Sequence, residues 1–455
     1  MNRLLNRLLF AAAFIFLLSV NQKANAQSKG IWISASELAS LPASGPAWNN
    51  LRAEADQPTG VPDLSNQDDP TNVRVLAKAL VYARTKQETY RTEVINACMA
   101  AINTEDGGRT LALARELAAY VIAADLVVLP PDKDEIFRAW LRNVRTKVLD
   151  SKTLQSTHEE RGNNWGTNAG GARAAVAVYL GDQAEIERTA KVFKGWLGDR
   201  ASYAGFKFGD LSWQADPSRP IGINPRGATK DGHSIDGVLP DDQRRAGGFK
   251  WPPPKENYVY GAMQGVLVQA NILHRVGYDT WNWGDKAILR AFQWTHFQAN
   301  FPPSGDDIWV LSLVDRVYGT NFWNGSPTSP GKSMGWTDWT HGRAGGGGSS
   351  GSINQPLNFS AVAKGTQVTI SWFDNSTGED GFRIERKDGV NGQWIEISIT
   401  GPDVNSRIDT GLQPGTTYYY RVRAFKGAEF SPYSNEDNAL ILTPPNGLRA
   451  EQVSG

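Results

Sequence analysis

The stretch Gly345-Gly346-Gly347-Gly348-Ser349-Ser350-Gly351-Ser352 divides this 455-residue chain in two. It offers no side chain to a core, so 343–353 reads as a flexible linker. Upstream of it the apolar period is helical: Val73, Leu76, Leu80 and Ala83 recur at three and four, as do Leu113, Leu117, Tyr120 and Val121. Further helical runs are expected at Glu135–Leu149, Ala169–Leu180, Ala184–Trp196, Tyr258–Val276, Lys286–Ala299 and Ile308–Tyr318. Short turns such as Leu129-Pro130-Pro131-Asp132 join them as hairpins. Helical hairpins without strand alternation imply an all-α domain, and a closed ring of helical pairs, an α/α toroid, is one solution. The stretch from Ala201 to Lys255, rich in Gly, Pro and Asp, carries no helical pattern; loops of that length are usually functional. Downstream of the linker the period switches to two. Val368, Ile370 and Trp372 alternate with polar residues, as do Tyr418, Tyr420, Val422 and Ala424, which predicts an antiparallel all-β sandwich.

Composition narrows the function classes. Lys+Arg and Asp+Glu are 47 each, so no net field marks a nucleic-acid partner. With 40% hydrophobic and 21% charged residues, wholesale disorder and a multi-span membrane protein are both excluded. The lone Cys98 excludes an intrachain disulfide and a thiolate metal cluster. Of 16 Trp, fourteen precede residue 345. That surplus fits either a large helical core or a carbohydrate partner, because an indole covers the flat face of a sugar ring.

Arg3 and Arg7 open the chain, followed by an apolar run from Leu8 to Val20 and a small-x-small site at Ala24-Asn25-Ala26. The run is shorter than the ~20 residues a bilayer span needs. Residues 1–26 therefore read as a secretory signal, with an uncleaved anchor as the alternative, and the expected location is extracellular or periplasmic. Removal of this segment leaves 44 basic against 47 acidic residues and no membrane span. The all-α domain is then expected over 27–342 and the β-sandwich over 354–444.

Three segments of the helical part combine polar density with apolar flanks. His158-Glu159-Glu160-Arg161-Gly162-Asn163-Asn164-Trp165-Gly166 precedes a Gly/Ala-rich helix, where paired Asn also serve as ordinary caps. Asp236-Gly237-Val238-Leu239-Pro240-Asp241-Asp242-Gln243-Arg244-Arg245, with Lys250 and Lys255 beyond, suits an anionic ligand or a solvated loop. Glu256-Asn257-Tyr258-Val259-Tyr260 opens an amphipathic helix, where a Tyr is as readily a packing residue as a catalyst.

Taken together, the Asn pair, the Asp236-Gly237-Val238-Leu239-Pro240 stretch, an Arg, and Tyr258 with Ala262-Met263-Gln264 resemble the alginate lyase family over roughly Trp32 to Trp323. The resemblance implies a secreted α/α-toroid polysaccharide lyase. One departure stands out: Trp165 occupies the place of the family's histidine, so His158 or His233 would have to substitute if an imidazole is needed. The C-terminal part resembles a fibronectin type III domain, on Pro356, Leu357, Trp372 and Leu412-Gln413-Pro414-Gly415-Thr416-Thr417-Tyr418, with Tyr418 as the tyrosine-corner residue. Pro444-Pro445-Asn446-Gly447-Leu448 looks like the start of a second such module, which would occupy 445–455 onward.

The chemistry explains why these residue types belong together. Cleaving a 4-linked uronate by β-elimination removes the C5 proton, which is acidic only when the neighbouring carboxylate is neutralised. Asn163 and Asn164, with Arg245, suit that carboxylate and the developing enolate. In β-mannuronate and β-glucuronate the proton and the leaving O4 share one face of the ring, so one tyrosine serves as base and then acid. A phenol ordinarily ionises near ~10, so a cation such as Arg244 or Arg245 must favour the phenolate. The expected catalytic set is Tyr258, Arg245, Asn164 and Asn163, with Tyr260 in reserve. Trp165, Arg244, His233, His158, Tyr260, Lys255 and Trp251 are expected to bind substrate, and Trp281, Trp283, Trp323, Trp336 and Trp339 are further stacking candidates. The scheme needs no metal or cofactor, and the partner is an anionic polysaccharide met by a monomer. An inverting glycoside hydrolase using carboxyls among Asp236, Asp241, Asp242 and Glu256, and a noncatalytic carbohydrate-binding protein, are the alternatives.

Overall fold

The computed structural model describes residues 28–323, 325, 327–342, 353–374, 376, 378–402 and 404–443. The expected leader (1–26), the linker up to residue 352 and the expected further module (445–455) lie outside the described residues. The chain divides into two compact units, one of residues up to Asp307 with Ser329–Thr340, the other of Ile308–Thr328 with the residues from His341 onward.

The first unit is helix-rich. It opens with Ala35–Ser40 (α1), Pro46–Ala55 (α2), Thr71–Thr85 (α3), Glu88–Ala100 (α4), Thr110–Val127 (α5), Pro131–Val144 (α6), Leu154–Glu160 (α7), Asn164–Leu180 (α8) and Gln183–Trp196 (α9). A long loop then carries a small hairpin, Thr229–Lys230 (β1) with His233–Ser234 (β2), and one helical turn, Pro240–Gln243 (α10). Tyr258–Arg275 (α11), Trp283–Gln293 (α12) and Thr337–Thr340 (α14) complete this unit, while Trp309–Tyr318 (α13) belongs to the second.

Sequence chemistry sets these boundaries. Pro131 sits in the first turn of α6, where its missing N–H is not needed, so the helix starts earlier than the apolar period suggests. Its buried Phe137, Trp140, Leu141 and Val144 form one stripe at helical spacing. Gly181 ends α8 in the left-handed region (φ 69°), and the Asp182 side chain then caps α9 by accepting the Glu185 N–H. Helices α5, α8 and α11 are buried along almost their whole length. In chain order α3 packs on α5, α5 on α8 and α8 on α11; α2 and α4 flank α3, and α7 and α9 flank α8.

The α8–α11 contact is close because glycines line it. A Cβ on Gly265 would lie 2.3 Å from the Asn168 backbone N, and one on Gly170 would lie 2.2 Å from Gln269 Oε1. These glycines are tolerated in mid-helix at a cost of about 1 kcal/mol each because they allow this approach. The long loop, expected without helix, acquires α10 and a 3₁₀ turn at Arg244–Ala246. Buried Arg290 of α12 fastens it, donating to Asn224 O and Gly284 O (both 2.8 Å) and pairing with Asp236.

The second unit contains a β-sandwich. One sheet runs β3-β4-β7, from Leu357–Lys364 (β3), Gln367–Phe373 (β4) and Ser406–Asp409 (β7). The other runs β10-β8-β5-β6, from Gly381–Asp388 (β5), Ile395–Thr400 (β6), Thr417–Lys426 (β8) and Asp437–Leu440 (β10), with Glu429–Phe430 (β9) on β8. The alternating residues Val368, Ile370 and Trp372 meet Phe382, Ile384, Tyr420, Val422 and Ala424 in one core. The Tyr418 hydroxyl accepts the Gln413 N–H at 3.0 Å, closing the corner before β8.

Candidate functional site

The N-terminus of α8 is the starting point. Asn163 caps it, its Oδ1 accepting the Trp165 N–H at 3.2 Å. Asn164 follows, and its backbone N–H donates to Asp242 Oδ1 at 3.0 Å, tying the helix start to α10. Its side chain is 0% exposed, and neither Nδ2 nor Oδ1 has a hydrogen-bond partner among the described residues. Buried amides are seldom left in that state, because each lost bond costs about 1–3 kcal/mol.

Asn168, one turn on, donates from Nδ2 to Asn164 O (2.8 Å) and Gly261 O (2.9 Å), locking α8 to α11. A Cβ on Gly261 would stand 3.8 Å from Asn164 Nδ2, so the first turn of α11 faces the orphaned amide. Tyr258 begins that turn, three residues before Gly261 and hence on the same side of the helix. It is 43% exposed, and the Arg245 guanidinium lies 4.0 Å from its ring centroid. Asn164 thus faces the first turn of α11, and Tyr258 at the start of that turn pairs with Arg245.

The acids beside them each have one oxygen engaged, while Asp241 Oδ2 and Asp242 Oδ2 are buried without a hydrogen-bond partner among the described residues. Asp241 Oδ1 accepts the Gly209 N–H (2.8 Å) and the Arg244 Nε–H (2.5 Å). Burial pushes the Asp242 carboxyl well above the usual range; the Asn164 N–H opposes the shift and Asp241 adds to it, while Arg245 and Arg244 pull it down. Asp307, whose Oδ1 accepts Gln264 Nε2 at 2.7 Å, is pushed up to about 6 by burial. Arg115, on the largely buried α5, is the cation that sequence reasoning missed. Burial disfavours its charge and lowers its pKa, against the pull of Asp68, Glu116, Asp306 and Tyr258.

Several expected ligands lie elsewhere. His158 is buried, 3.3 Å from Arg173 Nη1 through its Nδ1, and burial with the charges of Arg173 and Arg188 drives its pKa well below the usual value. Its ring is engaged by Arg173 and packs against Gly170 in the middle of α8, more than a turn beyond Asn164, so it does not stand in for a histidine beside the Asn pair. Tyr260 is buried too; its hydroxyl donates to Phe301 O at 2.6 Å, so it is not a reserve catalyst. Arg244 is committed to Asp241 and packs where Gly209 has no side chain, which makes it a loop anchor rather than a substrate ligand. His233 stacks on Trp251 at 4.4 Å within the loop, and Lys255 is exposed just before α11. Trp281, Trp336 and Trp339 are core residues, not sugar platforms, whereas Trp165 is half-buried with Arg109 and Arg161 near its ring.

Among the described residues no group of three His, Cys, Asp or Glu is arranged to hold a metal ion. No described helix is long and apolar enough to cross a membrane. Cys98 is buried, its thiol pushed up to about 12 by burial.

Solved structures similar to part of the chain include an Fn3-like protein from Clostridium thermocellum, 24% identical, covering 22% of this chain and 100% of that one with a TM-score of 0.18. A β-1,2-glucanase from Parabacteroides distasonis is 23% identical over 21% of this chain and 13% of its own, with a TM-score of 0.19. A myokine is 21% identical over 20% of this chain and 100% of its own, with a TM-score of 0.18. No curated protein sequence matches the chain. Residues 71–205, which include Asn163 and Asn164, match the family model described as alginate lyase, and residues 354–437, which include most of the β-sandwich, match that of the fibronectin type III domain, in that order along the chain.

Proposed function

We propose that the helical unit cleaves a 4-linked uronan, either mannuronate-containing alginate or glucuronan, by β-elimination. One observation carries this reading: the buried, unpartnered Asn164 amide faces the first turn of α11, where Tyr258 lies against the Arg245 guanidinium. The Asn164 amide neutralises the substrate carboxylate and the enolate that develops from it. The Asn163 carbonyl is engaged in capping, so its part is to fix Asn164. Tyr258, as phenolate, takes the C5 proton; the C4–O4 bond breaks as the C4–C5 double bond forms, and the phenol returns its proton to O4. Arg245, with its guanidinium 4.0 Å from the Tyr258 ring centroid, holds that ring at the start of α11.

The succession of α3, α5, α8 and α11, each packed on the next with α2, α4 and α9 outside, supports an α/α toroid for this unit. The basic and apolar start of the sequence, ending at Ala26, supports export to where such polymers are found. The test is to incubate the protein with alginate and with glucuronan and follow ultraviolet absorbance. Elimination produces a conjugated double bond; hydrolysis releases reducing ends without that absorbance, and simple binding produces neither. Reducing ends without absorbance would refute the proposal.

A further inference from the structure

Trp165 directly follows Asn164 and is half-buried at the start of α8. Two guanidiniums from separate element ends converge on its indole: Arg109 from the N-cap of α5, with Cζ 5.9 Å from the ring centroid, and Arg161 from the C-cap of α7, at 5.6 Å. Both arginines are exposed, and neither has a carboxylate partner among the described residues. The nearest acids in sequence are taken by other cations. Glu159 is held by Arg173 and Arg188, Glu160 by Lys152 and Lys207, and Glu105 and Asp106 by Lys147. The indole therefore gathers two uncompensated positive charges on the residue that follows Asn164 in the first turn of α8. A guanidinium laid against an aromatic ring keeps its N–H fork free at the edge, in the geometry that takes a carboxylate through two bonds.

We propose that Arg109, Trp165 and Arg161 form a subsite for a second uronate, next to the unit held by Asn164. The indole packs on the sugar ring and the arginines take its carboxylate. This inference rests on the uronan reading above and deepens it: the enzyme selects polymers that carry charges on consecutive sugars.

The test is the double variant R109Q/R161Q in the full chain, compared with wild type on polymeric alginate. KM should rise about tenfold while kcat changes less than about twofold, the signature of lost ground-state binding. Retardation by alginate in affinity electrophoresis should fall in parallel, and its loss on raising salt should be shallower than in wild type. Because both side chains are exposed and unpaired, the variant should melt within about 2 °C of wild type, a shift below about 1 kcal/mol. Unchanged KM and retardation, or a fall in kcat with KM unchanged, would overturn the subsite. A wild type that forms no unsaturated product, yet is retarded by alginate through these arginines, upholds the subsite while refuting the lyase reading. A wild type that neither cleaves nor binds any uronan overturns both.

Discussion

Replacing Asn164 by leucine should separate function from stability. The side chain is 0% exposed and both its polar atoms lack partners, so the substitution breaks no side-chain hydrogen bond. The one bond that ties this residue to α10 comes from its backbone N–H, 3.0 Å from Asp242 Oδ1, and survives. Leucine matches asparagine in branching and heavy-atom count but is larger, so some overpacking, about 1–3 kcal/mol, is set against the gain, and Gly261 opposite, which has no side chain, takes up part of it. Relief of a buried unsatisfied amide is worth about 1–3 kcal/mol; set against the overpacking, it should leave Tm unchanged or raised by up to roughly 8 °C for a unit of this size. Activity should fall. Loss of the group that neutralises a developing enolate costs about 10²–10³ in kcat. Thermal melts followed by far-ultraviolet circular dichroism and initial rates of double-bond formation test both halves. A fall in Tm together with lost activity would refute the reasoning, because it would make the amide a structural bond rather than a poised one.

Tyr258→Phe keeps the ring on which Arg245 lies, 4.0 Å away, and removes only the hydroxyl; kcat should fall by about 10²–10⁴ with KM and alginate retardation little changed, as steady-state kinetics would show. Asp242→Asn retains an Oδ1 that accepts the Asn164 N–H, so the elimination rate should stay within about tenfold of wild type, whereas loss of a general acid would cost about 10²–10⁴. Asp307, raised by burial to about 6, makes stability depend on pH. Its folded-state pKa exceeds the ordinary ~3.9, so its contribution is complete below ~3.9 and is lost as pH rises through about 6. Asp307→Asn should therefore flatten the decline in Tm between about pH 4 and about pH 6; an unchanged slope in thermal melts would exclude Asp307 as its source.

How much of this was legible in the sequence depended on whether a signal was local. Helix α6 and strand β8 declare themselves because one face is buried and the other wet, which leaves a period of 3.6 in one and 2 in the other. The beginning of α8 was hidden, since its glycines read as poor helix formers until α11 is set against Gly170 and Gly171 and the Arg161 carbonyl against Gly166. Arg244 and Arg245 are indistinguishable as neighbours in sequence. The 3₁₀ turn sends successive side chains in different directions, one to Asp241 and the other to the Tyr258 ring. His158 sits in a run of charges that suggests exposure, yet α7 carries it inward beside the buried Leu154 and Thr157. Arg115 did leave a trace: a charged Arg-Glu pair inside a helix buried on nearly every side signals either pairing or function.

The same accounting of partners bears on the reaction type. An inverting hydrolase needs one protonated and one ionised carboxyl about 6.5–9.5 Å apart with room for a water between them. Each of the four acids considered for that role has a partner in the scaffold. Asp236 is paired with Arg290 and accepts the Gly227 N–H at 2.8 Å. Asp241 holds Gly209 and Arg244, Asp242 holds the start of α8, and Glu256 accepts the Tyr258 N–H at 3.0 Å. They shape the loop and the helix ends. The Asn164 amide has neither polar atom engaged, and the Tyr258 phenol carries the Arg245 guanidinium on its ring. On the reading we propose, that set would neutralise a carboxylate and relay one proton across one face of a sugar, which is what elimination from a uronate demands.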